Sequence, residues 1–142
     1  MSLTNIALAA HLVGVILWIG GEVAGAAIAA SAVADGDARP TLKAARTALM
    51  RWAVPGMLLA WIGGLTMLIP NFTTLYARAG WMHGKLTLLL IASALSGILS
   101  ARIRKAANGD KPLSAGFARG LAIAMAAIAA IVVALVVFRP GA

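Results

Sequence analysis

Four long apolar runs limit what this chain can fold into. They lie at about residues 6–33, 48–69, 81–98 and 117–137, and each is near or above the roughly 20 residues that cross a bilayer as a helix. A spanning segment must satisfy its own backbone groups, and a continuous helix does so. With 62% hydrophobic and 11% charged residues, the sequence predicts a one-domain integral membrane protein in a lipid bilayer, an all-α, up-down-up-down four-helix bundle.

The basic residues predict the orientation in the membrane. We expect the first run to be retained, because no basic region precedes it and Glu22 interrupts it. Lysines and arginines of short connections stay on the cytoplasmic side. Nine lie in or beside the first and third connections and three on the opposite side, which predicts a multi-pass protein of a bacterial-type inner membrane with both termini outside. The nine are Arg39, Lys43, Arg46, Arg51, Arg102, Arg104, Lys105, Lys111 and Arg119.

Composition excludes several kinds of chemistry. The 142 residues include no cysteine, so disulfides, thiolate metal sites and covalent c-type haem attachment are excluded. The net charge of +8 is spread in short clusters between apolar runs without interleaved aromatic residues, which argues against nucleic-acid binding. Glycines and serines within the runs favour close helix packing and leave a homo-oligomer open.

The first span carries a polar stripe. At about 100° per residue, Trp18 and Glu22 each fall within roughly 20° of His11 on the helix surface, and Gly14 and Gly25 lie along one edge of this stripe. An ionisable side chain facing lipid costs several kcal/mol. We therefore expect the stripe to face the bundle interior.

The second histidine lies at a similar depth in the third span. His83 and His11 are the only histidines, and an inward face of the third span would bring the two imidazoles together. Two imidazoles suit haem b, which needs no covalent attachment. Gly14 would leave room for the macrocycle beside Trp18, and Arg78 or Lys85 would pair with its propionates. The face expected to point inward consists of His83, Thr87, Leu90, Ala94 and Gly97.

Other readings of these residues stay open. Glu22, about 16 Å from His11 along the helix axis, is a candidate for an interhelical hydrogen bond, a proton relay or a carboxylate near a substrate. Pro55 is expected to kink the second span, which either opens room for a cofactor or is a packing bend. Thioethers with imidazole suit Cu(I), a weaker reading because methionine also fills cores. The methionines concerned are Met50, Met57, Met67 and Met82.

Several motifs resemble known membrane families. "HLVGVILWIGG" resembles the first span of HemJ-type protoporphyrinogen oxidases and is similar to the membrane domain of CopD-type copper-resistance proteins. "GWMHGKLTLLL" resembles the third-span signature of HemJ, "ALMRWAVPGMLLAWIGGLTMLI" its proline-containing second span, and "VVALVVFRP" its last span. The likeness covers nearly the whole chain, and the order and spacing of the motifs carry it.

The resemblance implies a haem b protein that oxidises protoporphyrinogen IX and passes electrons to a membrane acceptor such as a quinone. By position it implies His11 as the first-span histidine and an axial ligand, and His83 and Lys85 as the third-span pair. Together with the matched depth of the histidines, we expect His11 and His83 to be the axial metal ligands, and Lys85, a catalytic candidate, to lie with Arg78 near the propionates or substrate carboxylates. Glu22 is the second catalytic candidate. The alternatives are a small membrane b-type cytochrome, a CopD-like copper or haem handling protein, and a plain helical bundle without a cofactor.

Overall fold

The structure, a computed structural model, describes residues 2–36 and 38–140. Their main elements are four long helices: α1 (Leu3–Ala34), α2 (Ala38–Tyr76), α3 (Gly80–Asn108) and α4 (Ala115–Phe138). All four are long and apolar enough to cross a membrane, and the described residues form no strand. The predicted all-helical protein with four span-length helices is confirmed.

The helices extend well beyond the apolar runs. Residues 72–76 and 99–108, predicted to lie in connections, belong to α2 and α3, and α2 begins at Ala38 rather than near residue 48. Hydropathy marks only the part of a helix that suits lipid, whereas alanine, arginine and lysine are strong helix formers in water as well. α3 ends at Gly109, whose φ of +85° is the left-handed cap that glycine adopts most easily.

Two π-helical segments interrupt α2, at Leu49–Ala53 and Phe72–Tyr76. The first lies just before Pro55, where the sequence predicts a distortion of the helix. Its hydrogen bond runs from the N–H of Val54 to the carbonyl oxygen of Leu49, five residues earlier, as in a π-helix. Its wide turn packs against α1, because a Cβ on Gly21 would come within 3.0 Å of the Ala53 Cβ. The π-helical turn before Pro55 therefore lies against α1, and none of its residues lines the pocket described below.

Two apolar clusters form the core, and each draws residues from all four helices. The first lies at the end of the molecule where the first and third connections, with their basic residues, join the helices, and we call it the basic-end cluster. It contains Ala26, Ala29, Ala30, Leu42, Leu49, Ala53, Leu99, Ile103, Ala106, Ala107, Leu113, Ala118 and Leu121. The second, which we call the Trp18 cluster, contains Trp18, Ala60, Ala92 and Met125. On α1 the two clusters are separated by the turn that carries Glu22.

Glycine lets α1 and α2 approach closely. A Cβ on Gly14 would overlap the backbone nitrogen of Ala60, and one on Gly56 would lie 2.7 Å from the backbone nitrogen of Trp18. Such contacts are typical of membrane bundles, where close van der Waals packing replaces the hydrophobic driving force. The Gly14–Gly56 contact fixes how α2 lies against the polar stripe of α1.

Candidate ligand-binding pocket

A partly open pocket lies between α1, α2 and α3 on the side of the Trp18 cluster away from the basic end. Its volume is about 130 Å³. Leu65 is 38% exposed, so the pocket opens towards the lipid side of α2. The lining is His11, Val15 and Trp18 from α1, Ala60, Trp61, Gly64, Leu65, Met67, Leu68 and Tyr76 from α2, and Met82, Lys85, Leu86 and Leu89 from α3.

A backbone hydrogen bond orients His11. Its Nδ1 lies 2.7 Å from the carbonyl oxygen of Ala60, and a carbonyl can only accept, so Nδ1 carries the proton and donates. In the neutral ring Nε2 is then the free acceptor, the arrangement usual for a metal-binding histidine. Gly64 makes room for the ring, since a Cβ there would lie 3.1 Å from Nδ1. The half-buried imidazole thus keeps one basic nitrogen, and His11 is among the residues that line the pocket.

Lys85 brings a cationic group to the same pocket. Its side chain is half-buried and lines the pocket with no carboxylate among the other lining residues. A buried ammonium without a counter-ion is costly, and an anion bound beside it would recover part of that cost. The pocket therefore favours a ligand with an apolar body and an acidic group.

Two tryptophans tie the pocket walls to α3. Trp18 donates through Nε1 to Ser96 Oγ at 2.7 Å, and Trp61 donates through Nε1 to Ser93 Oγ at 3.1 Å. An indole N–H needs such a partner when it is buried. The two bonds hold both rings in fixed positions at the pocket wall.

Glu22 lies one turn beyond Trp18, outside the pocket. Its side chain is 1% exposed, and neither carboxyl oxygen has a hydrogen-bond partner among the residues that the structure describes. Ser96 lies near the carboxyl group; its hydroxyl oxygen accepts from Trp18, and its hydroxyl hydrogen is still available to donate. The predicted inward stripe is confirmed, because Gly14, Trp18 and Glu22 are all buried, yet Glu22 has no polar partner there.

The structure does not bring His83 to His11. His83 is exposed, donates from Nε2 to the Ala77 carbonyl at 3.0 Å, and packs edge-on against Phe72 with ring centroids 6.4 Å apart. The expectation that its face of α3 points inward is wrong: every member of that face is exposed. The inward face follows spacings of three and four residues and consists of Met82, Lys85, Leu89, Ala92, Ser96, Leu99 and Ile103.

Two other predicted contacts are also placed elsewhere. Arg78 is exposed and does not line the pocket. Gly14 does not make room for a macrocycle, because the backbone of Ala60 covers it. The lining residues that the sequence did not single out are mainly aliphatic, with the aromatic side chains of Trp61 and Tyr76 among them. On α3 the spacing of three and four residues between Lys85, Leu86 and Leu89 was the available signal.

The pocket fits part of a haem site. If haem were bound here, His11 would offer one imidazole nitrogen and Lys85 a cation for one propionate, between apolar and aromatic walls. The volume of about 130 Å³ is below the roughly 300–1,000 Å³ of typical ligand pockets, so the pocket in this structure is too small for a whole porphyrin. A second imidazole is not offered, because His83 faces outward.

Comparison with protein-family models, curated proteins and solved structures gives no match. The likeness to the HemJ and CopD families therefore remains a resemblance of motifs. Of the residues in those motifs, His11, Trp18 and Lys85 meet in the pocket, and His83 does not.

Proposed function

We propose that this chain is a membrane protein that binds haem b or a related porphyrin between α1, α2 and α3. The observation that carries the proposal is that one apolar pocket contains both an imidazole nitrogen of His11 that is not used in the Ala60 hydrogen bond and the ammonium of Lys85. A metalloporphyrin with acidic side chains matches both groups. Bound haem would supply a one-electron carrier in the membrane.

The reaction we propose is oxidation of protoporphyrinogen IX, with a membrane quinone accepting the electrons. In this proposal Lys85 would pair with a carboxylate of the substrate, and Trp18 and Trp61 would pack against its tetrapyrrole ring. Glu22, a buried carboxyl one turn beyond Trp18, is the candidate proton relay in this proposal. The up-down-up-down arrangement with both termini outside belongs to the same proposal. It is supported by the basic-end cluster, which brings together the end of α1, the start of α2, the end of α3 and the start of α4.

The two histidines give a matched pair for the first test. The chain is expressed with haem supplied, purified in detergent and examined for a Soret band. His11→Ala should abolish or shift the band, whereas His83→Ala should leave it unchanged because the ring lies outside the pocket. Loss of the band in His83→Ala together with its retention in His11→Ala would refute the assignment.

Lys85 is tested by affinity. Lys85→Met keeps the length of the side chain and removes its charge, and a hydrogen bond to a charged group contributes roughly 1.5–3 kcal/mol, so haem should bind at least about tenfold more weakly. Arg78→Gln is the matched control, since Arg78 is exposed outside the pocket. Equal weakening by both variants would show a general charge effect. The reaction is tested by expressing the chain in cells that lack protoporphyrinogen oxidase: restored growth supports the oxidase, and no growth despite expression in the membrane contradicts it.

Copper handling is the second candidate, favoured by the thioethers of Met67 and Met82 in the same pocket as His11. Soft sulfur with imidazole suits Cu(I), and a small cavity suits an ion. Lys85 opposes it, because an ammonium repels a metal cation. Metal analysis separates the two: bound copper that is lost in Met67→Leu and raised in Lys85→Met would favour this candidate over haem.

A further inference from the structure

A cationic groove runs along the start of α2, at the opposite end of the molecule from the pocket. Its lining lies on one helix face at spacings of three and four residues, joined by Asn108 at the end of α3: Lys43, Arg46, Thr47, Met50, Arg51 and Asn108. Three of these side chains are cations and none is a carboxylate. Like charges on one face repel one another, and bound anions would relieve that repulsion.

The groove spans the boundary between charged and apolar surface. Lys43 lies in the polar first part of α2, whereas Met50, at the other end, belongs to the second apolar run and is exposed. Trp52, just beyond, is 60% exposed, as is common for tryptophan at the level of lipid headgroups. The surface thus offers cations for a headgroup directly beside apolar groups for acyl chains.

We infer that this groove binds the headgroup of an anionic phospholipid, a function independent of the porphyrin pocket. Basic pockets between helices at the cytoplasmic side are suited to phosphate headgroups, and arginine forms bidentate contacts with phosphate oxygens. From Lys43 to Arg51 the cations cover about 12 Å of helix. That length exceeds one phosphate and favours a headgroup with two, the cardiolipin type.

The test measures lipid retention by native mass spectrometry of the purified full chain, with tetraoleoyl cardiolipin or dioleoylphosphatidylcholine in the micelles. The variant Lys43→Gln/Arg51→Gln changes two exposed residues of the groove and leaves half-buried Arg46 in place. The matched control Lys111→Gln/Arg119→Gln removes two exposed charges from the same end but outside the groove. Thermal unfolding confirms that both variants are folded.

We expect cardiolipin to be retained by the parent chain and phosphatidylcholine not. A basic residue near an anionic lipid contributes a factor of roughly five, so the groove variant should bind cardiolipin about thirtyfold more weakly and the control less than about threefold. Equal loss in both variants would show that binding follows net charge, and equal retention of both lipids would show no headgroup recognition. Either result overturns the inference, as does full displacement of cardiolipin by inorganic pyrophosphate.

Discussion

Replacing Glu22 with methionine should stabilise the protein. Glu22 is 1% exposed and both of its carboxyl oxygens lack a hydrogen-bond partner within the described part of the chain, and burying an unpaired polar group costs roughly 1–3 kcal/mol. Methionine has a similar length without the polar atoms and adapts to irregular core space. In the unfolded chain the carboxyl group can reach water, so Glu22→Met should raise the free energy of unfolding by roughly 1–3 kcal/mol.

The assay is reversible unfolding in mixed micelles, followed by tryptophan fluorescence. Ser96→Ala, in the same layer, is the contrasting variant: it leaves the Nε1–H of Trp18 without an acceptor and should lower stability by about 0.6–1.7 kcal/mol, the range of interhelical hydrogen bonds in membranes. Changes of opposite sign in the free energy of unfolding are expected because the Glu22 carboxyl group lacks a hydrogen-bond partner, whereas Trp18 and Ser96 form a hydrogen bond. A loss above about 1 kcal/mol in Glu22→Met would mean that the carboxyl makes a stabilising contact, and the reasoning would fail.

Three further changes test the packing around the pocket. Gly14→Val should prevent folding or cost roughly 3 kcal/mol or more, because its Cβ would overlap α2 backbone; yield and unfolding in detergent measure this. Trp61→Phe, which removes the donor to Ser93, should cost about 0.6 kcal/mol in the same unfolding assay. Gly64→Ala pushes against the His11 ring and should weaken haem binding more than it lowers stability, which titration with haem and thermal unfolding separate.

Hydropathy predicts the four helices well and their ends poorly. The apolar runs report which residues suit lipid, and all four became helices. The ends follow other physics: residues 99–108 contain several alanines and basic residues, which favour helix in water, and a glycine at 109 with positive φ closes it. A scale of lipid preference carries no information about such an end.

The inward face of α1 was predictable and that of α3 was not, for a physical reason. On α1 the stripe with Glu22 had to avoid lipid, so one ionisable residue fixed the rotation of the helix. On α3 the side chains are apolar on most sides, and His83 satisfies its ring nitrogen at the helix start through the Ala77 carbonyl. A histidine with a local partner does not require burial, so it gave no information about the face.

The repeated tetrapeptide Trp-Ile-Gly-Gly, at residues 18–21 and 61–64, acquires a structural meaning from α3. Its two tryptophans donate to Ser96 and Ser93, which lie three residues apart on that helix. The glycines then divide their roles, since Gly21 admits Ala53 whereas Gly64 admits the imidazole of His11. The repeated tetrapeptide therefore anchors α1 and α2 to the same turns of α3. In the copy on α2, the space left by Gly64 is filled by the imidazole of His11, which we propose as the haem ligand.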